Sequence, residues 1–160
     1  MYLNIKNKNG SGSYEFSESN YKSGYCGSGY KLKDDIPQGN ATYDATRKNM
    51  REPWMIPTKT QLRELVNNTT STWTGSGRKY TSKSDTSKYI FLPAAGLWNN
   101  TSHESVGSLG DYWSSDYKSA SGLTSPSGAY SMWFDSGGHH YDGAYRQRGR
   151  SIRAIRQRLW

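Results

Sequence analysis

The sequence has one cysteine, few aliphatic side chains and no long hydrophobic run. Cys26 on its own excludes an internal disulfide and a thiolate metal cluster. The longest apolar stretches, such as residues 90–95, are far too short to span a bilayer, so membrane insertion is not expected. Residues 1–20 carry lysine and glutamate side chains without an apolar stretch, so no signal peptide is visible there.

Aromatic side chains make up for the shortage of aliphatic ones. Leucine, isoleucine, valine and phenylalanine total only 20 of 160 residues, a share typical of disorder in highly charged chains. Thirteen tyrosines and six tryptophans can still build a core, because each aromatic side chain buries about 150–250 Å². We predict a single domain over residues 1–160. Its polar, glycine- and tyrosine-rich part, residues 1–38, is expected to be loop-rich or, alternatively, a flexible tail.

Two helices are predicted before residue 70. Asn40 can cap a helix over residues 41–50. Thr58 and Gln61 have the spacing of a capping box, in which each side chain bonds the other's backbone N–H. Leucine and valine side chains at helical spacing follow, and predict a helix over about residues 59–68.

Beyond residue 69 the pattern changes to short β-branched or aromatic runs bounded by glycine, serine and aspartate. Two short helices followed by several strands indicate the α+β class. The predicted strands cover residues 72–74, 79–81, 89–92, 112–114, 130–134 and 151–155.

Residues that could carry catalysis are few. Cys26 lies among glycine, serine and tyrosine, which favours an incidental thiol over an activated nucleophile. His139 and His140, flanked by Asp135 and Asp142, are adjacent and point to opposite sides of an extended chain, so an exposed polar loop is favoured over a metal site. The carboxylates fall in no catalytic spacing. No enzyme activity, cofactor or metal is therefore expected.

The chain is basic, with a net charge of +8 and a cluster of arginines near its end. Such a cluster could contact phosphates or acidic glycans. The favoured alternative is a strand with one solvated arginine face, or arginines that pair with the protein's own carboxylates. The arginines are Arg146, Arg148, Arg150, Arg153, Arg156 and Arg158.

Residues 111–150 combine aromatic with short polar side chains. Alternate residues of a strand point to opposite faces, so Tyr130, Met132 and Phe134 are expected to face the core. The opposite face, with a loop predicted over residues 136–148, has the composition of a recognition surface. The alternative is that small β-rich proteins simply show aromatic side chains on their surface.

Several ordered sequence blocks resemble the bacterial and phage domains known as the Fibrobacter succinogenes major paralogous domain. The most specific block is PWMIPTKTQLREL at residues 53–65, although the arginine that usually precedes Met-Pro-Thr is missing. Together the blocks cover roughly residues 34–156. The other blocks are DIP at 35–37, YDA at 43–45, IFLPAAG at 90–96, VGS at 106–108, YWSS at 112–115 and RQRGRSIR at 146–153, which matches the family's closing R-x-x-G-x-S-V-R motif.

This resemblance implies a C-type lectin-like fold, with two short helices, a small twisted antiparallel sheet and long irregular loops. The calcium motifs of animal lectins and the cysteine pair of lectin-fold formylglycine-generating oxidases are absent, so the resemblance does not extend to those activities. The closing architecture is similar to the variable proteins of diversity-generating retroelements. In those proteins adenine-directed mutagenesis of asparagine codons yields tyrosine, aspartate, serine, histidine or glycine at outward positions.

The resemblance implies a variable ligand-binding segment over residues 111–156. Trp133 and Gln147 are not reachable from asparagine codons and are weaker candidates. Tyr141 and Tyr145 are expected to face solvent, so that serine at both positions should leave the melting temperature nearly unchanged. The expected ligand-binding residues are Asp116, Tyr117, Ser131, Trp133, Asp135, His139, His140, Tyr141, Asp142, Tyr145 and Gln147.

The implied function is non-enzymatic binding, as in a receptor or adhesin on a phage or bacterial surface. The expected partner is a protein or glycan on a cell surface and not a nucleic acid, and the expected location is extracellular or on a virion. An oligomer within a larger display assembly is left open. The alternatives are a hydrolase on the same scaffold and polyanion binding through the C-terminal arginines.

Overall fold

The computed structural model describes residues 35–41, 43–118, 128–146 and 148–156. The described residues form an α+β arrangement that consists mostly of strands, with two short helices and several small antiparallel sheets. Expectations for residues 1–34, Gln147 and Arg158 lie outside the described residues. The elements are α1 (Ala45–Met50), β1 (Trp54–Met55), α2 (Lys59–Asn67), β2 (Thr69–Trp73), β3 (Gly77–Ser82), β4 (Tyr89–Pro93), β5 (Leu97–Asn99), β6 (Ser102–Glu104), β7 (Gly110–Tyr117), β8 (Gly128–Phe134), β9 (His139–Tyr145) and β10 (Ile155–Arg156).

Helix α1 begins later than predicted because Asp44, and not Asn40, is its cap. The Asp44 carboxylate is fully buried and accepts hydrogen bonds from the backbone N–H groups of Thr46 at 2.9 Å and Gly39 at 2.8 Å. It also accepts from the N–H of Ile56 at 3.0 Å, twelve residues along the chain. One carboxylate therefore caps the helix and joins it to the segment that leads into α2.

Helix α2 confirms the prediction of a helix starting after Thr58. The Thr58 hydroxyl accepts from the N–H of Gln61 at 3.1 Å, and the Gln61 side chain accepts from the N–H of Thr58 at 2.8 Å. The helix buries Leu62 against the sheets. In the part of the chain that is described, neither helix is long and apolar enough to cross a bilayer.

The larger sheets are β2–β3–β4 and β7–β8–β9, and β1–β10 and β5–β6 form two-stranded pairs. The predicted strands around residues 79–81, 89–92, 112–114 and 130–134 are confirmed. The loop predicted over 136–148 is wrong, because residues 139–145 form β9 and pair with β8 along its whole length. The strand predicted over 151–155 is reduced to one bridging residue, Ser151, and to β10, which begins at Ile155.

The core lies between helix α2 and one face of β7–β8–β9, with β3 and β4 beside it. The ring of Phe134 has no solvent exposure and lies 5.8 Å from the Tyr112 ring and 6.2 Å from the Tyr80 ring. The Tyr112 hydroxyl donates to the carbonyl of Pro93 at 2.8 Å. Tyr112 thus fills the core with its ring and still satisfies a buried carbonyl with its hydroxyl. Its members are Leu62, Tyr80, Leu92, Tyr112, Met132 and Phe134.

Replacing Asp44 with asparagine should lower the free energy of unfolding by about 2–3 kcal/mol, because buried N–H groups lose charge-assisted partners. Urea denaturation measures the effect. Glu64→Gln on the exposed surface of α2 is the control, expected within about 0.5 kcal/mol of the unmodified chain. Equal stability of the two variants would contradict the role given to Asp44.

The same carboxylate should make stability depend on pH. Burial opposes its ionisation, but hydrogen bonds from Thr46, Gly39 and Ile56 outweigh that effect and lower the pKa of Asp44. A carboxylate with a lowered folded-state pKa stabilises the protein above its unfolded pKa and loses that contribution as the pH falls through the folded value. Asp44→Asn should therefore reduce the loss of stability on acidification, measured by urea denaturation at neutral and acidic pH.

Candidate functional site

The face of β7–β8–β9 that points away from the core is the candidate site, and we call it the outer face. Residues directly opposite each other in an antiparallel pair share a face. The register pairs Trp113 with Ser131 and Ser131 with Asp142, and it pairs Trp133 with His140. These five residues define the outer face, whereas Met132 and Phe134 between them are buried in the core.

The outer face carries a stacked pair formed by Trp133 and His140. Their rings lie 4.2 Å apart with an interplanar angle of 24°. His140 is exposed and Trp133 is half-buried. Next to them, the Asp142 side chain is 66% exposed and forms an ion pair with Lys118. The hydrogen bond from Lys118 contributes most to lowering the pKa of Asp142 below its ordinary value.

A buried ion pair lies beside the stacked rings. The guanidinium of Arg150 bonds the carboxylate of Asp111, and each side chain is only 5% exposed. The Arg150 guanidinium also lies 4.5 Å from the centre of the Trp113 ring. For Arg150, this confirms the alternative in which a C-terminal arginine pairs with one of the protein's own carboxylates.

The ion pair fixes the segment after β9 against the edge of β7. There the N–H of Trp113 donates to the carbonyl of Ser151 at 2.9 Å, and the N–H of Ser151 donates to the carbonyl of Asp111 at 3.1 Å. Gly149 in turn exchanges backbone hydrogen bonds with Trp98 at 2.7 and 2.9 Å. The segment that follows the candidate site is therefore held to β7 and to β5.

Three expected ligand-binding residues make hydrogen bonds within the protein, two through their carboxylates and Tyr117 through its backbone N–H. Asp116 accepts from the N–H of Lys59 at 2.6 Å and so helps to cap α2. Asp135 accepts from the N–H groups of Gly137 and Gly138 at 2.7 and 3.1 Å, which closes the turn between β8 and β9. Tyr117 ends β7, where its N–H donates to Asp35 at 2.7 Å.

For Ser131 and Tyr141 the expectation of an outward, solvent-facing side chain is wrong. Ser131 points away from the core but is only 3% exposed, because it sits in the central strand between Trp113 and Asp142. Tyr141 packs against the core, and its hydroxyl donates to the carbonyl of Leu62 at 3.3 Å. Burial raises the pKa of Tyr141 to about 12.

His139 and Tyr145 lie on the core side of β9 and are partly buried. The His139 ring lies 6.3 Å from the Tyr141 ring, edge to face. Burial is the main cause that lowers the pKa of His139, and the charges of Arg78 and His140 lower it further. Adjacent histidines do point to opposite sides of the strand, as predicted, although the segment is a strand and not a loop.

Two basic residues that support the site were not predicted. Arg78 on β3 donates to the carbonyls of Asp135 and Ser136 at 2.9 and 3.2 Å, and so holds the β8–β9 turn. The Lys59 ammonium lies 3.5 Å from the centre of the Tyr130 ring. Tyr130 is half-buried, so the prediction that it is a core residue is wrong. Sequence spacing gives no signal for either contact, because each joins residues more than 50 positions apart.

The comparisons with known proteins add no relative. Neither the protein-family models, nor the curated proteins, nor the solved structures contain a match to this chain. Within the described ranges, no group of three or more histidine, cysteine, aspartate and glutamate side chains is placed to hold a metal ion.

Breaking the buried ion pair should be costly, while replacing both partners should not. Asp111→Leu or Arg150→Met alone should lower the free energy of unfolding by about 3–5 kcal/mol, since each leaves one buried charge without a partner. The double replacement Asp111→Leu/Arg150→Met should cost less than either single change. Urea denaturation of all four proteins gives the coupling energy, and additive losses would mean that the pair is not coupled.

The two sides of β9 should respond differently to serine. Tyr141→Ser should lower the free energy of unfolding by about 2–4 kcal/mol because it removes a partly buried ring from the core. His140→Ser, on the exposed side of the same strand, should cost less than about 1 kcal/mol. Thermal unfolding followed by circular dichroism compares the two. Equal losses would show that the outer face is as much a packing surface as the core face.

Proposed function

We propose that this protein is a non-catalytic binding domain whose ligand-contacting surface is the outer face of β7–β8–β9. The observation that carries the proposal is the stacked pair of Trp133 and His140, held at the solvent side of a sheet whose other side is the core. Backbone pairing on both sides of β8 fixes Trp133. A preorganised aromatic surface binds with little loss of side-chain entropy.

The carboxylates support binding more than catalysis. Asp44, Asp116 and Asp135 accept hydrogen bonds from backbone N–H groups, and Asp111 is paired with Arg150. A general base must reach a substrate proton, and these groups are already engaged in holding the fold. On the outer face His140 is exposed, and the Asp142 side chain remains 66% exposed although its carboxylate pairs with Lys118 and accepts from the N–H of Gly143 at 2.7 Å.

We further propose that the fold is C-type lectin-like and that the protein has a function similar to that of the variable proteins of diversity-generating retroelements. The most specific block of that resemblance, residues 53–65, forms β1, the Thr58 cap and most of α2, and Leu62 of α2 packs into the core beneath the sheet. His140 and Asp142 are residue types that adenine mutagenesis of an asparagine codon produces. Both occupy the accessible side of β9, where such changes cost little stability.

The proposed ligand is a protein or glycan on a cell surface, met by this protein outside the cell or on a virion. The polyanion alternative loses support, because two of the arginines on which it relies are buried. Arg150 is bound to Asp111, and Arg146 is only 6% exposed and lies 6.0 Å from the Tyr117 ring. Counterion release requires arginines that reach phosphate or sulfate groups in solution.

A glycan array and a panel of whole bacterial cells, probed with the full chain, test the proposal. The double variant His140→Ser/Asp142→Ser should lose binding to any hit by about tenfold or more, because contact residues at an interface centre often cost over 1.4 kcal/mol. Thr72→Ser, exposed on the other large sheet, is the matched control and should bind like the unmodified chain. Binding that survives the double variant, or fails with the control, would place the contact surface elsewhere.

The retroelement part of the proposal makes a separate genomic prediction. A reverse transcriptase gene should lie near the coding sequence, together with a near-copy of the segment that encodes residues 112–153. The two copies should differ mainly at adenines of the template, including those in the codons of His140 and Asp142. Differences spread evenly over all four bases would contradict diversification while leaving the binding surface itself untouched.

A further inference from the structure

Strand β4 is a sheet edge that the proposed function does not use. Among the strands of the described residues, it pairs with β3 on one side and with none on the other. The N–H of Ser82 donates to the carbonyl of Lys88 at 2.9 Å. This hydrogen-bonded pair determines which residues of β4 direct their backbone groups toward β3. Because hydrogen-bonded pairs alternate along antiparallel strands, Ile90 directs its backbone groups toward β3. Tyr89 and Phe91 direct theirs away from the sheet.

The same two residues carry exposed aromatic side chains. Tyr89 is 58% and Phe91 is 39% exposed, although both belong to regular secondary structure. The Phe91 ring covers Gly77 of the neighbouring strand, where a Cβ would clash with it at 2.7 Å, and the Lys79 ammonium lies 4.1 Å from the Tyr89 ring. The strand itself contains no charged residue. Proteins usually protect exposed edges with charges, bulges or covering segments.

We propose that β4 is a self-association edge, at which two copies of the chain pair antiparallel about a two-fold axis through Ile90. In this register Tyr89 lies opposite Phe91 of the second copy, and Phe91 lies opposite Tyr89 of the second copy. Both are the residues whose backbone groups point outward, so each pair exchanges two hydrogen bonds and the interface gains four. The aromatic side chains meet on one face as cross-strand pairs, which favour each other in antiparallel sheets.

The far end of the strand explains why the pairing stops. Pro93 has no N–H to donate, and its carbonyl already accepts from the Tyr112 hydroxyl at 2.8 Å. The strand pairing therefore ends after Leu92 in each of the two copies, and Pro93 leaves no backbone N–H without a partner. The joined β4 strands would unite two three-stranded sheets into one sheet of six strands.

The size of this interface makes the association weak. From their exposed fractions, Tyr89 and Phe91 offer together on the order of 150–250 Å² per copy. A stable complex buries about 800 Å² per partner. Pairing therefore requires many copies close together, as in a multivalent assembly. Each copy carries a net charge of +8, so added salt should strengthen the association by screening repulsion.

Amide hydrogen exchange of the full chain, followed by NMR, tests the proposal at micromolar and at millimolar concentration, in low and in high salt. The amides of Tyr89 and Phe91 should exchange about tenfold more slowly at the higher concentration, and more so in high salt. The Ile90 amide, already bonded to β3, should not change. Sedimentation velocity should show dimers under the same conditions.

Tyr89→Lys and Phe91→Lys are the disrupting variants, because an edge lysine opposes strand pairing. Thr72→Lys is the matched control, since it adds the same charge to the same face of the sheet on β2. Both disrupting variants should remain monomeric and the control should still associate. The proposal is overturned if the chain stays monomeric at millimolar concentration in high salt. It is also overturned if Tyr89 and Phe91 are protected at every concentration, which would mean that another segment of the same chain covers the edge.

Discussion

The packing of the Phe134 ring between Tyr112 and Tyr80 decides which side of β7–β8–β9 faces solvent. A strand has only two faces, so once Met132 and Phe134 are in the core, Trp133 must lie on the other side. The same parity carries across the register to β9, where His140 and Asp142 follow Trp133 and Ser131. The candidate site is therefore a geometric consequence of how a chain with few aliphatic residues builds its core from tyrosine and phenylalanine.

Carboxylates that are buried or half-buried hold together parts of the chain that the small core does not join. Asp44 links α1 to the chain before α2, Asp116 links α2 to β7, and Asp111 links β7 to the C-terminal segment through Arg150. Each acts between parts of the chain that are distant in sequence. Such groups stabilise the fold only when their partners are in place. The residues around the outer face therefore adopt a single arrangement.

Local signals predicted local structure well. The capping box at Thr58 placed α2, and aromatic runs placed four strands, because both depend on residues within a few positions of each other. The failures involve distant partners. Asp44 displaced Asn40 as the cap through a bond to Ile56, and β9 escaped notice because its glycine and histidine content resembles a loop until β8 pairs with it.

The candidate site was predicted only in part, because its remaining features also depend on contacts between residues that are distant in sequence. Strand parity assigned Trp133 to the outer side, but it could not show that the centre of the sheet buries Ser131 or that Tyr141 reaches Leu62. Residue type alone grouped Asp116 and Asp135 with the contact residues, although their carboxylates bond backbone N–H groups. Composition identifies side chains suited to recognition; only the register shows which of them remain available.

The most direct test of the account is a saturation substitution scan of residues 128–145 that measures folding stability at every position. An outer face that is available for binding predicts an alternating pattern along β9, with His140 and Asp142 tolerant of most side chains and Tyr141 intolerant. It predicts that Met132 and Phe134 on β8 are also intolerant. If substitutions at His140 and Asp142 destabilise the protein as strongly as those at Tyr141, the outer face is a packing surface and the binding account is contradicted.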